Sequence, residues 1–523
     1  MIPSSSVFNH SHSRLPNRTG RVWPIVFVAA VLVASTGVGF SRPFRLNQNT
    51  YLLHAVGPSL SELRDDWFLH TTDTFPIFTA IARLAGGTIG FAIASFVLTV
   101  AAFTGLFLIA STLLLAAPRT VRYAVPPLAV LLLSAACYLL PHTGVPVLSW
   151  VHPFRGVGGQ YLMSVPSVFQ PSDSGALMLL GAGIAVWAAT SRWRQPWWLV
   201  ATGLAVAACA LHPTYLAPLA VALLGFAIAD LVTSRTIRRF GWYAGAGVAA
   251  VAVVLATNPV ARGSLTHAVG EPQRYLAFER IPHHTLVSHW DPHDAFLTII
   301  VLAGAGLTVW LTRAWWAAIV ISACLTVAAV TALTAEVTRS IALAMMFPWR
   351  ITVFLVPIAT LIGIVSVLRL IAERLQHVTA VLVPVAACMS LVCLAAGTYL
   401  TVHAANPASE SSVRAVRAAR PSGVGLIPIE LENVRLNAPA AVYVDRKSHP
   451  YAPPDLAEWQ RRIAAALLAE TDDGAFCRLI NQEEIGWVIL RRGRTLPACI
   501  VGWRQAGSEG VLLYIRQELA VRR

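Results

Sequence analysis

Two carboxylates stand side by side at Asp65-Asp66, with Arg64 before them, Trp67-Phe68 after, and Asp73-Thr74-Phe75-Pro76 a few residues on. A carboxylate screened by aromatics and beside a like charge is a candidate general base. The same residues also describe a solvated acidic turn ahead of an interfacial helix at 74–86, and spacing alone leaves both readings open. Upstream, Asn47-Gln48-Asn49-Thr50-Tyr51 is a polar run that could bind sugar hydroxyls or simply cap a loop helix.

A second group of candidates lies at Arg280-Ile281-Pro282-His283-His284 and His289-Trp290-Asp291-Pro292-His293. Imidazoles at this density could ligate a divalent metal, contact a phosphate, or serve only as structural hydrogen-bonding groups. No standard zinc spacing is met, and no motif demands a cofactor. The metal arrangement the residues allow is a divalent ion shared by Asp65 or Asp66 with His283 or His284. It requires the two loops to converge on one outward cavity, which is the expectation. His212-Pro213-Thr214-Tyr215 either faces that cavity or belongs to an interfacial belt. Arg350, after Phe347-Pro348-Trp349, either snorkels or clamps a lipid phosphate. Trp197, Trp198, Trp315 and Trp316 read as belt residues.

These residues must be held by a membrane-spanning frame. The chain has 523 residues, 56% hydrophobic and only 12% charged, where soluble proteins carry about 25% charged residues. A bilayer core takes roughly 20 apolar residues per helix. Such runs occur at 22–41, 88–116, 122–140, 174–190, 196–211, 213–232, 240–257, 295–312, 314–333, 351–370 and 377–402. The net charge of +14 is carried largely by short loops rather than a nucleic-acid face. With residues 1–21 in the cytoplasm, Arg14, Arg18 and Arg21, then Arg119 and Arg122, Arg192 and Arg194, Arg235, Arg238 and Arg239, Arg313, and Arg369 and Arg374 all fall inside, as the positive-inside rule asks. The transmembrane domain is then 22–402, with outer loops 42–87, 141–173, 258–294 and 334–350. Residues 403–523 form a small extracytoplasmic α/β domain. Its expected parts are a linker at 404–424, strands at Ala441–Val444, Trp487–Leu490 and Val511–Ile515, and a helix at 454–470 burying Leu456, Trp459, Ile463 and Leu467. Cys477 and Cys499 in this domain are either a disulfide or two free thiols.

There is no nucleotide-binding P-loop, no dinucleotide fingerprint, no HExxH and no CxxC. Almost no charge sits mid-span, which argues against an ion-coupled transporter or channel. The layout resembles the GT-C superfamily of membrane glycosyltransferases, and within it a group of uncharacterised bacterial multi-pass proteins. The resemblance rests on Asn47-Gln48 with Tyr51, Asp66-Trp67, Arg280 through His284, and Val444-Asp445 with Lys447, Pro450-Tyr451 and Trp459. It implies a polytopic α-helical fold of about eleven spans in the cytoplasmic membrane. It also implies inverting transfer from a polyprenyl-phosphate sugar at the outer face to a glycan, lipid or protein acceptor. Asp66, helped by Asp65, would be the base. Arg350, Arg280, His283 and His284 would hold the donor phosphate. Asn47, Gln48, Tyr51, His212 and Tyr215 would contact the substrate. The alternatives are a flippase for lipid-linked saccharides and a non-catalytic envelope-assembly protein. The oligosaccharyltransferase WWDXG-type motif is absent.

Overall fold

The computed structural model describes residues 19–45, 47–142, 151–190, 195–234, 239–266, 270–375, 378–507 and 510–517. Apolar segments satisfy their backbone groups internally by forming helices, and each of the eleven runs coincides with one. They are α1 (Thr19–Gly37), α2 (Thr88–Leu113), α3 (Arg119–His142), α4 (Gly175–Thr190), α5 (Gln195–Leu211), α6 (Leu216–Ser234), α7 (Phe240–Thr257), α8 (Pro292–Leu311), α9 (Trp315–Thr338), α10 (Thr352–Arg374) and α11 (Val378–Val402). Among the described residues nine helices are long and apolar enough to cross a membrane; Trp23–Gly37 and Pro196–Leu211 are shorter apolar helices. Of the arginines used for orientation, Arg14, Arg18, Arg192, Arg194, Arg235 and Arg238 lie outside the described residues.

Small residues let these helices approach closely. Gly105 of α2 and Gly183 of α4 face each other so tightly that a Cβ on Gly183 would overlap the Gly105 backbone. Ser134 of α3 donates to the Ala34 carbonyl of α1 (2.7 Å). At the far end of α6, the buried Asp230 accepts from the Tyr243 hydroxyl and the Trp316 indole, each at 2.8 Å, and pairs with Arg239. Trp316 therefore serves a buried carboxylate rather than a belt.

The other end of the bundle carries the long connections. The segment after α1 is a chain of short turns leading to the amphipathic helix Pro76–Ala85, which buries Phe78 and Ala82 and exposes Leu84. Above it sits the C-terminal domain, a four-stranded sheet of order β1-β2-β4-β3 formed by Gly425–Leu426 (β1), Trp487–Leu490 (β2), Arg504–Gln505 (β3) and Leu512–Ile515 (β4). Strand β2 runs parallel to β1 and antiparallel to β4. It is buried throughout because each face has a cover. Trp487 and Ile489 pack with Val413 and Val416 of α12 (Ser411–Ala419), while Val488 and Leu490 pack with Trp459 and Ile463 of α13 (Pro453–Thr471) and Phe476 of α14 (Asp473–Gln482). Cys477 and Cys499 form a disulfide.

Three expectations for this domain are corrected. Residues 404–424 are not simply a linker, because Val413 and Val416, three apart, give α12 an apolar face that its polar composition hid. Ala441–Val444 is no strand but a segment touching β1 through a single bridge, Gly425 to Val442. Leu467 is exposed and Ala466 buried in its place, since the stripe of α13 falls on the opposite edge of the helix.

Candidate functional site

A cavity of about 1230 Å³ opens where the long connections meet the C-terminal domain. Its apolar wall comes from Val251, Val254 and Leu255 of α7 and from Ile341, Met345 and Met346. Its polar wall includes Asn47, Tyr51, His212, Thr214, Arg280, His283, His284 and Arg350. The first and third long connections thus do converge. No carboxylate lines this cavity among the described residues, whereas Arg45, Arg155, Arg280, Arg350 and Lys447 all do. Of these, Arg155 is ion-paired with Asp294. The other four make no ion pair among the described residues.

Local backbone features aim these groups. Phe347 adopts a left-handed conformation that turns the chain into the short helical turn Pro348–Ile351. That turn buries Trp349, whose indole donates to the His284 carbonyl (2.9 Å), tying the histidine segment to the start of α10. It also presents Arg350, whose guanidinium donates to the Thr214 hydroxyl and lies 5.1 Å from the Tyr215 ring centre. Nε of Arg350 is buried without a partner.

His284 Nδ1 donates to the Gly158 carbonyl (2.6 Å), a bond that fixes the tautomer because a carbonyl can only accept. Gly158 and Gly159 both have positive φ, at 70° and 63°, and a Cβ on Gly158 would crowd the Trp290 indole and the His283 carbonyl. Burial and the neighbouring His283 push the His284 pKa down to about 3. His449 is likewise held at about 3 by burial, then by Arg280 and Lys447, and His152 at about 4 by burial and Arg155. His283, exposed at the rim, is lowered by desolvation and then by Arg280. The cavity's imidazoles are therefore neutral at pH 7.

Other predicted site residues fall elsewhere. Asp66 is fully buried and does not line the cavity. One of its oxygens accepts from the Phe68 N–H (3.0 Å), capping the turn Trp67–His70. The other accepts from Arg435 Nε (2.7 Å) and the Val442 N–H (3.0 Å). Arg435, itself 1% exposed, also pairs with Asp445 and donates to Ser448 Oγ (2.8 Å). With three hydrogen bonds accepted, a buried guanidinium beside it and no place in the cavity lining, Asp66 stands in this structure as an ion-pair partner of Arg435. Beside it, the Arg462 guanidinium lies 4.9 Å from the Trp67 ring centre. Asp65 is exposed and outside the cavity lining. Gln48 turns inward to donate to the Phe169 carbonyl (3.0 Å), and Tyr215 is a buried support that donates to the Ser172 carbonyl. Among the described residues no three His, Cys, Asp or Glu side chains gather to hold a metal, and Asp66 is not brought to His283 or His284 in this cavity.

The residues that sequence reasoning missed are Arg45, Arg155, Lys447 and His449. The last two ride on the segment 443–453, by which the C-terminal domain reaches into the cavity. A signal for Lys447 was present, since it is the only lysine in an arginine-rich chain.

A domain of unknown function (DUF6798) matches residues 415–466, from α12 through this segment into α13. No curated protein matches the chain in sequence. The solved structure of ArnT from Cupriavidus metallidurans in the apo state is similar, with 12% identity and a TM-score of 0.51 over 97% of this chain and 100% of that one. ArnT bound to undecaprenyl phosphate is similar at 13% identity and a TM-score of 0.46 over 97% and 100%. The oligosaccharyltransferase AglB from Archaeoglobus fulgidus, in complex with an inhibitory peptide and a dolichol-phosphate, has 11% identity and a TM-score of 0.45 over 91% and 70%. The fold is similar to that of ArnT over nearly the whole of both chains. The chain is a polytopic helical membrane protein whose C-terminal sheet domain closes one side of the cavity.

Proposed function

We propose that the protein transfers a sugar from a polyprenyl-phosphate carrier to an envelope glycan, lipid or protein acceptor. The observation that carries this is the division of the cavity wall. One side is apolar, and the other offers unpaired cations and no carboxylate among the described residues. A phosphate on a lipid tail is divided in the same way. The placement of arginines in the sequence supports a cytoplasmic N-terminus, with the cavity and the domain from His403 on the outer side. The disulfide fits that oxidising compartment.

In the transfer, an acceptor oxygen forms its bond to the anomeric carbon as the bond to the phosphate oxygen breaks, with inversion. The phosphate departs with the electron pair and gains negative charge, which Arg350 stabilises as a preorganised cation. The acceptor proton goes to His283, neutral and open to water at the rim. Asn47, Tyr51 and His212 supply hydrogen bonds for sugar hydroxyls.

The carboxylate-free lining favours a second reading, a GT-C-like assembly protein that binds lipid phosphate without transferring sugar. Mass spectrometry of polyprenyl-linked sugars in a deletion strain separates the two. A transferase predicts that the lipid-linked sugar accumulates, and that the wild-type gene but not Arg350→Gln, expressed equally by blot, relieves it. A defective envelope with an unchanged lipid-linked pool would favour the second reading.

A further inference from the structure

Three of the four unpaired cations of the cavity fall into two groups. Arg350 stands on the bundle side, held by Thr214 and Tyr215, and its charge acts on His212 and Tyr51. Arg280 and Lys447 stand together on the side of the C-terminal domain, and the charge of each acts on both His283 and His449. Tyr451 and His284 lie between the groups: Arg350 and Arg280 act on the first, Arg350 and Lys447 on the second.

Arg280 donates Nε to the Arg446 carbonyl (3.0 Å) and has no ion-pair partner among the described residues; nor has Lys447. His449 Nδ1 is buried without a hydrogen-bond partner. Two acidic groups act on this pair, Asp445 and Glu432. Asp445 is engaged by Arg435, and Glu432 makes no ion pair with either cation. Two half-buried like charges side by side repel, and desolvation adds to the cost. Both groups are accordingly lowered, each by desolvation first. The arrangement is also deliberately held. Asp445 accepts the Lys447 and Ser448 N–H groups (2.9 and 2.6 Å), so the buried chain from Asp66 through Arg435 to Asp445 sets where Lys447 stands.

We propose that Arg280 and Lys447, with His449, form a second phosphoryl subsite, separate from the lipid-phosphate contact at Arg350, so that the cavity holds two phosphoryl groups at once. This rests on the donor reading above. The second group is either the distal phosphate of a diphosphate-linked carrier or a phosphate on a separate ligand.

The test uses the full chain in nanodiscs, a polyprenyl monophosphate, the corresponding diphosphate, and inorganic phosphate, with binding read by native mass spectrometry. A carrier diphosphate predicts that wild type prefers the diphosphate by about tenfold, a charge-assisted contact's worth, and that Lys447→Gln brings the ratio to about one. A separate ligand predicts no such preference, but inorganic phosphate binding to the monophosphate-saturated wild type and not to Lys447→Gln. Equal monophosphate and diphosphate affinity together with equal inorganic phosphate binding by wild type and variant overturns the subsite. Failure of the monophosphate to bind at all would sink the donor reading instead, and the inorganic phosphate comparison would still decide the subsite. Arg280→Gln, with an unfolding temperature equal to wild type, repeats the comparison if Lys447→Gln fails to fold.

Discussion

Replacing Asp66 with asparagine separates a structural carboxylate from a catalytic one. The side chain accepts three hydrogen bonds, from Phe68 N, Val442 N and Arg435 Nε. Asparagine keeps the shape but turns an amide N–H₂ toward one of these donors and removes the charge facing a guanidinium that is 1% exposed. Breaking one side of a buried ion pair costs about 3–5 kcal/mol. Asp445 remains on Arg435, which places the expected loss at the lower end, about 3 kcal/mol. A loss of that size lowers the unfolding temperature of a domain of this size by roughly 10 °C. The assay is thermal unfolding of the purified protein, with hydrogen exchange over 434–450, where protection should fall. Asp65→Asn should move neither, because Asp65 is exposed and joins no such network. A double-mutant cycle with Arg435→Gln should show strong non-additivity. An Asp66→Asn protein of unchanged stability and exchange that nonetheless lost function would refute this assignment and restore Asp66 as the base.

Arg350→Gln should weaken lipid-phosphate binding by about tenfold, the worth of one charge-assisted contact, as read by titration in nanodiscs. Acid should destabilise the fold through His284, His449 and His152, held near 3, 3 and 4. Below the ordinary histidine range the unfolded chain binds protons that these imidazoles refuse. Their contribution is therefore full above about pH 6.5 and lost as pH falls toward the folded values, by up to about 2.7 kcal/mol each at pH 4.5. His449→Gln should flatten that pH dependence in unfolding scans. Cys477 and Cys499 should resist alkylation in intact cells until reduced, and ready labelling of both without reductant would place the domain in a reducing compartment.

The frame was legible because burial in a membrane is a local property: each apolar run carries its own reason to be a helix, and all eleven are helical. Strand β2 was legible as Trp487–Leu490 for the same reason. Arg280, His283, His284 and Arg350 were legible as cavity groups because aromatic and basic residues at span ends have few innocent places to go. The burial of Asp66 was not legible because its partner Arg435 lies 369 residues away, and nothing in a carboxylate's immediate neighbours reveals whether a cation will be buried against it. Gln48 sits in the same polar run as Asn47 and Tyr51, but it satisfies the Phe169 carbonyl across 121 residues. The place of Lys447 and His449 in the cavity depended on how the C-terminal domain docks, a contact between distant segments; the lone lysine marked Lys447 as unusual without saying where it would stand.

The central claim is that the cation-lined cavity receives a phosphate carried on a lipid. Native mass spectrometry of the purified protein with a polyprenyl phosphate tests it most directly, comparing wild type with Arg350→Gln. The account predicts a saturable one-to-one adduct for wild type, displaced by excess polyprenyl phosphate but not by the uncharged polyprenol, and sharply reduced in the variant. Equal retention of polyprenol and polyprenyl phosphate, unaffected by Arg350→Gln, would contradict it.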